Sequence, residues 1–473
     1  MPRARLQFAP AQESAFDQLA GAAPMAMNVV VDGKGTVRRR PGLATTSFAP
    51  ATTVDASGLR GIHVAESGSA FVFGGSGKIW KVTGGSAAHV NADAPLLGGL
   101  RPVVTETEAI LAVADGGNPV KFEFATGLSS PLANAPTCTH IAGLASRLLA
   151  NDTTSTNICQ FSDLAAGSSF AGHEVWGAGN GDAGFFAPEA RPDALVAVYE
   201  NAGSVFLFGK GSFQTFAPDG ALYFAPLGTR EVGCVAPYSP LKVEQGMAWL
   251  DQFRRFVISD GQDVQPISGP IHQDLLALSS IEDCFGFRYR DGRADLLVWS
   301  FPAEGRTFAY QLGGGWCQWS RWNASTLNWS ALGVTGCAFA RDLGDYLVTT
   351  GDGLVLSLSS AHATDEGSAI NSHVITGYES HESDAVKRCI AIRLALRRGE
   401  TTGTNEPHVL VKYRDQPGDW KDQILVSLGA PGDREAVVEL RSLGTYRRRQ
   451  WCFEFAGTED LVLLSAEEEY DVR

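Results

Sequence analysis

No stretch of this sequence approaches the ~18–20 consecutive apolar residues that a membrane-crossing helix requires, so a helical membrane span is excluded. Its eight cysteines (Cys138, Cys159, Cys234, Cys284, Cys317, Cys337, Cys389 and Cys452) stand singly, with no C-x-x-C pair. A zinc site needs close pairs, and a disulfide scaffold is shorter and denser. The thiols are therefore expected to be reduced, mostly buried in strands, in a protein made in a cytosol. The opening MPRARLQFAPAQESAFDQL has basic residues with no apolar core behind them, unlike a secretory leader. Long amphipathic helices are almost missing; IHQDLLALSSI (271–281) is the best short one and AQESAFDQL (11–19) a weaker one. Positive charge is also short, with 38 Lys and Arg against 52 Asp and Glu and a formal net charge of −14. That balance argues against wrapping DNA by neutralising phosphates, and it suits a surface that lets DNA pass without holding it.

What is present is glycine, 53 of 473 residues, and short apolar or alternating runs broken by Gly and Asp-Gly turns. That is the pattern of an all-β chain. Aligned on their turns, the runs form a loose repeat at 60–85, 101–127, 139–167, 193–220, 246–269, 283–320 and 336–359. Each unit has a first strand, a turn, a strongly apolar strand, a Gly turn and an outer strand. The spacing of about 37–55 residues suits four-stranded propeller blades. One blade alone cannot bury both faces, and a linear stack leaves two open ends, so closure into a ring is favoured. The expected fold is an irregular β-propeller of six or seven blades over 51–360, followed by a small C-terminal antiparallel β-sandwich in 361–473. The stretch 359–386 reads as a polar linker, and six alternating strands follow it.

Candidate chemistry is thin. FGGSGKIW (73–80) lacks the spacing and the Ser/Thr of a phosphate loop, and no helix follows it; it reads as a hairpin loop. FSDLAAGSSF (161–170) partly matches the Asp-box turn of sialidase-like propellers, occurs once, and reads as a structural turn. His362, His373 and His381 share one polar stretch with several acids, but their spacing fits no single helix or hairpin metal site. There is no G-x-S-x-G nucleophile and no paired Cys/His. No cofactor is implied. The segment GGGWCQWSRWNASTLNW (313–329) carries Trp316, Trp319, Trp322 and Trp329, either as blade packing or as exposed partner anchors.

The stretch GKGTVRRRPGL (33–43) sets three arginines side by side in an acidic chain. On a strand, Arg38 and Arg40 share one face and Arg39 takes the other, and Pro41-Gly42 forces a turn. The preceding MNVVVDGKGTV makes this a hairpin-like docking segment within 1–50, not a disordered basic tail. Its guanidinium groups suit carboxylates of the same chain or of a neighbour better than DNA. Arg38, Arg39, Arg40, Pro41, Trp316, Trp319 and Trp322 are the candidate contact residues.

Asn28 followed by GKGTVRRRPGL resembles the N-terminal segment of the packaged-DNA stabilisation proteins, or tail hub (nozzle) proteins, of short-tailed bacteriophages. The likeness continues through ASRLLANDTTSTNICQFSDLAAG, VFLFGKGSFQTFAPDG, FRRFVISDGQDVQPIS and YRDQPGDW…SLGTYRRRQWCFEF, and departs at Tyr413-Arg414-Asp415, where a Ser-x-Asp turn is common. The resemblance implies a non-enzymatic virion protein of the tail, assembled in bacterial cytoplasm. Its copies would form a ring, expected to be a hexamer, below the portal and adaptor. That ring would prolong the channel for packaged double-stranded DNA, retain it with a plug or needle protein, and present a surface for fibres or spikes. Two other readings stand beside it: a propeller enzyme acting on bacterial polysaccharide, and a general propeller interaction module.

Overall fold

A computed structural model of the chain describes residues 3–6, 8, 25–165, 169–188, 191, 193–220, 223–244, 246–323, 325–398, 407–416, 418–421, 423–429, 435–456 and 461–472. The segment 11–19, expected as a weak helix, lies outside them. Six antiparallel sheets, each of four strands in chain order, follow one another at 59–89, 103–131, 141–186, 195–230, 241–266 and 285–319 (blades 1 to 6). Three further strands, Val334–Ala340, Asp345–Thr350 and Val355–Ser359, complete the ring as blade 7. Their fourth strand is Gly42–Thr45 from the N-terminal segment, paired antiparallel through Leu43 and Leu358. The fold is a β-propeller, as the repeat spacing predicts.

The ring closes on itself because each interface between neighbouring blades has its own apolar filling. Phe71, Phe73, Leu111 and Phe122 fill the first interface, and Ala340, Leu347, Leu59 and Val72 join blade 7 back to blade 1. The second strand of each blade is covered on both faces by its neighbours. It therefore reads as a continuous apolar run, as in Ala70–Gly74, Ile110–Ala114 and Gly246–Leu250, each buried throughout. The first strands face the axis and touch those of adjacent blades. The fourth strands lie on the rim, where an apolar run has nothing to bury it. That is why the units read from the sequence stop short of Ser129–Pro131, Gly184–Phe186 and Tyr223–Arg230. The unit read at 246–269 likewise omits its short first strand, Leu241–Val243. The helix expected at 271–281 shrinks to His272–Leu276 after a 3₁₀ turn, its Leu275 buried beneath blades 5 and 6 with Leu278 and Ile281.

All six C-terminal strands form, and they build two packed sheets. One holds Lys387–Arg398, Glu435–Arg441 and Leu461–Val472; the other holds His408–Asp415, Ile424–Ser427 and Arg449–Phe455. The stretch read as a linker supplies Ser372–Ile375 to the second sheet. The N-terminal segment enters both: Met25–Met27 pairs with Ser372–Ile375, while Val29–Val31 and Val37–Arg39 join the first sheet beside Leu461–Val472. Met27 also lies parallel to Gln318 on the outer strand of blade 6, so the second sandwich sheet continues a propeller blade.

Leu43 is fully buried on the strand that closes the ring. Leu43→Ala should cost about 2–5 kcal/mol, the range for a buried Leu truncation, read as a lower urea midpoint. An unchanged midpoint would mean that the closing strand contributes little.

Candidate functional site

The arginine run resolves into three environments. A turn over Asp32, whose Oδ1 accepts the Lys34 and Thr36 amides at 2.9 and 2.8 Å, folds Val29–Val31 back on Val37–Arg39. Arg38 and Arg39 are half-buried on that strand, and Arg39 lines a small cavity with Ile370, His408 and Phe455. Arg40 lies just beyond the strand and is only 1% exposed. Its fork is filled from within the chain. Nε donates to Asn28 Oδ1 at 2.9 Å, Nη1 to Pro41 O at 2.8 Å and Asp365 Oδ1 at 3.0 Å, and Nη2 to Ser320 O at 3.2 Å and Asp365 Oδ2 at 2.5 Å. Five donors meet five acceptors, the full capacity of a guanidinium.

Asn28 is the other half of this node. Its φ of +56°, a left-handed conformation that Asn tolerates, is the corner where the chain leaves one sandwich sheet and enters the other. Its amide donates to Gln318 O at 2.8 Å and its Nδ2 to Asn371 O at 2.8 Å, while its Oδ1 also accepts the Ser320 amide at 2.8 Å. Blade 6, both sandwich sheets and the strand leading to blade 7 thus meet at two side chains. Pro41 is buried, and Gly42 passes so close to the chain that a Cβ there would stand 2.5 Å from Thr364 O. Arg40 and Pro41 are therefore internal joints; their partners belong to the same chain.

The tryptophans divide as well. Trp316 is buried, donates to Ile267 O at 2.7 Å and stacks near Phe256 and Trp299. Trp319 is fully buried between blade 6 and the sandwich. Trp322 is half-buried on a separate two-stranded ribbon, Arg321–Asn323 with Asn328–Ser330, edge-on to Trp329 at 5.0 Å. The tip of that ribbon carries Leu327, 74% exposed. Of the seven candidate contact residues, Trp322 alone belongs to this projecting ribbon. The three histidines of the polar stretch also separate: His362 meets Ser357, His373 meets Trp329, and His381 meets Tyr446 and Glu468.

A second cluster, at one end of the propeller axis, is one the sequence reading passed over. Arg60, Arg101, His140, Tyr238 and Phe285 all stand at or just before the starts of first strands, so they converge on the same end of the bore. Arg101 reaches from the connection between blades 1 and 2 past blade 1 to blades 6 and 7, where its guanidinium lies 3.5 Å over the Phe285 ring and bonds Thr335 O. His140 stacks on Tyr238 at 5.1 Å and meets Tyr199 at 5.3 Å; Tyr199 donates to Pro237 O at 3.1 Å. These side chains cross the axis and narrow the bore. No local signal marks them, because Arg101 and Thr335 are 234 residues apart.

His140 is fully enclosed. Nε2 lies 3.0 Å from Pro237 O and Nδ1 2.9 Å from Thr139 Oγ1, a donor and an acceptor position that suit the neutral ring. Burial pulls its pKa down to about 4. In the sandwich, burial alone would raise the pKa of Glu468, but hydrogen bonds from His381, Tyr446 and Cys389 hold it below the ordinary value. Burial pushes the Cys138 and Cys234 thiols up to about 12, which leaves them protonated and unreactive at neutral pH.

No protein-family model matches the chain, and no curated protein matches it. Solved structures to which it is similar include the computationally designed Ika8 protein, at 11% identity and a TM-score of 0.39, over 66% of this chain and 99% of that one. Others are the N-terminal domain of Nup159 (10%, TM-score 0.40, 72% and 99%) and BamB from Moraxella catarrhalis (11%, TM-score 0.37, 62% and 91%). Likenesses at this level carry nothing about activity or partners.

Two outcomes follow from this geometry. Removing one partner of a buried, hydrogen-bonded ion pair costs about 3–5 kcal/mol, so Arg40→Met and Asp365→Asn should each lower the denaturant midpoint strongly, and the double variant by less than the sum. Additive losses would show that the two side chains act separately. For His140, the unfolded chain takes up its proton near pH 6.5 and the folded chain only near 4. Its contribution is therefore intact above 6.5 and is lost as pH falls between those values, by roughly 3 kcal/mol. Calorimetric melting temperatures should drop over that window, and His140→Phe should flatten the drop.

Proposed function

We propose that this chain is a structural, non-enzymatic subunit of a bacteriophage tail, a nozzle or hub protein. Its copies form a ring that continues the DNA channel below portal and adaptor, holds packaged DNA and anchors fibres or spikes. The observation that carries the reading is the joint at Asn28 and Arg40. The N-terminal segment gives strands to both sandwich sheets and to blade 7, and a fully paired arginine fixes their meeting point. A propeller and a sandwich joined this way resist bending between them, which suits a part that must hold pressurised DNA.

On this reading the DNA path is the bore of the ring of copies. The propeller's own axis is crossed by Arg101, Phe285, His140 and Tyr238. A net charge of −14 on each subunit repels phosphate and lets a duplex slide. A ring of identical copies uses two different surfaces of each subunit, and the Trp322–Leu327 ribbon is a natural element for one of them.

Electron microscopy of the purified chain mixed with portal and adaptor proteins tests the reading. Rings docked beneath the adaptor are expected; a chain that stays monomeric at micromolar concentration and joins nothing overturns it.

A further inference from the structure

One flank of the C-terminal sandwich is open and unguarded. Glu435–Arg441 is the end strand of the first sheet. It pairs antiparallel with Lys387–Arg398 on one side, and among the described residues no strand pairs its other side. An open strand invites pairing with another chain, and proteins commonly guard it with Pro, Lys, a bulge or an inward-pointing charge. This strand has none of these. Its sequence, EAVVELR, runs without a register shift from Arg397↔Glu435 to Ala391↔Arg441. Ala436, Val438 and Leu440 pack on the core, while Glu435, Val437, Glu439 and Arg441 point outward. Val437, at mid-strand, is 76% exposed. The second sheet ends on the same flank. Its end strand, Ile424–Ser427, comes just before Glu435–Arg441 in strand order, and Ile424 and Val426 pack on the same core.

The charges on the open strand choose its partner. A strand that continues the sheet must set inward residues opposite inward ones. Antiparallel pairing of this strand with its own copy is therefore centred on a residue, never between two. Centred on Val438, every residue of the strand finds a partner. Glu435 then faces Arg441 of the second copy, twice by symmetry, and Ala436 faces Leu440. The two Val437 side chains lie diagonally across the axis, within reach of each other. Centring on Val437 would instead oppose Glu435 and Glu439 twice, and centring on Glu439 would set two Glu439 face to face. Like charges directly opposite are destabilising. Glu439 is held within the chain by Arg393 at 3.0 Å and by Arg441 Nε at 2.6 Å, yet the Arg441 side chain stays 74% exposed. The strand is thus complementary to itself in one register.

We infer that Glu435–Arg441 is a docking edge for a second copy of this chain, paired antiparallel about Val438 so that the first sandwich sheet runs on from one copy into the next. The two Glu435–Arg441 ion pairs fix the register, and backbone hydrogen bonds hold the strands. The same contact brings the exposed Leu425 of each Ile424–Ser427 edge toward the interface. The inference does not rest on the tail reading. This contact uses one surface twice and closes as a pair, whereas a ring uses two different surfaces. The two fit together as rings joined face to face, and either can fail without the other.

Sedimentation of the full chain over a rising concentration series tests this, and a monomer–dimer equilibrium is expected. Glu435→Arg and Arg441→Glu each set like charges opposite one another twice, so each should weaken the dimer at least tenfold. An equimolar mixture of the two variants restores opposite charges at both places and should bring the dimer back to within a few-fold of the unsubstituted chain. Both positions are exposed, so melting temperatures of the monomers should barely move. Should a variant fail to fold, hydrogen exchange on the unsubstituted chain replaces it, and amides within 435–441 should slow as concentration rises. A chain that stays monomeric throughout, association indifferent to both substitutions, a mixture that does not recover, or exchange at 435–441 that ignores concentration would each overturn the proposal. A charge-sensitive dimer that joins no adaptor supports it and counts against the tail reading alone.

Discussion

The fold turns on a corner. Asn28 sits in a left-handed conformation between two strands of different sheets, and Arg40 closes the space behind it with every donor engaged. A cation enclosed to this degree is tolerable only when its partners are all in place. Those partners come from blade 6, from the sandwich and from the segment after blade 7, so the pair forms only when all three have arrived. That makes the arginine a check on assembly as well as a bond. It also accounts for a triple-arginine run in an acidic chain, since one of the three is held wholly inside the fold.

Around this joint the propeller obeys one constraint. A sheet with two apolar faces must have a neighbour on each, and a ring is the arrangement in which no blade lacks one. The fully buried second strands are the direct consequence. Closing the ring with Gly42–Thr45 ties the start of the chain to its seventh sheet, so the circle cannot open without breaking strand pairing. Because Gly42 follows Arg40 by two residues, the closing strand and the buried ion pair reinforce each other.

The bore is the region where packing and chemistry part. Elsewhere, Arg40 and Arg449 are met by carboxylates, Lys387 is met by backbone carbonyls, and the Cys138 and Cys234 thiols stay protonated. At one end of the axis an arginine lies on a phenylalanine with tyrosines and a neutral histidine about it. Polar groups placed there meet aromatic rings contributed by several blades, a setting that blade interfaces do not have.

The recurrence of short strands and the turns between them were legible in the sequence because they are local. The apolar second strands, the Gly and Asp turns and the alternation after residue 387 each declare themselves within a dozen residues. The rim strands were harder, since exposure removes the apolar signal. The Arg-Arg-Arg-Pro stretch was legible as a docking hairpin with intramolecular carboxylates among its partners, but not which arginine is enclosed. Trp316 and Trp319 as packing were legible in the same way. The sequence by itself determined an all-β chain of repeated sheets with a sandwich behind it. Only the tertiary structure decided that Asp365 answers Arg40, that residues 42–45 complete the last blade, and that Arg101 meets Phe285 and Thr335. Those contacts join residues 184 to 325 positions apart, and no local periodicity encodes a meeting that closing the ring creates.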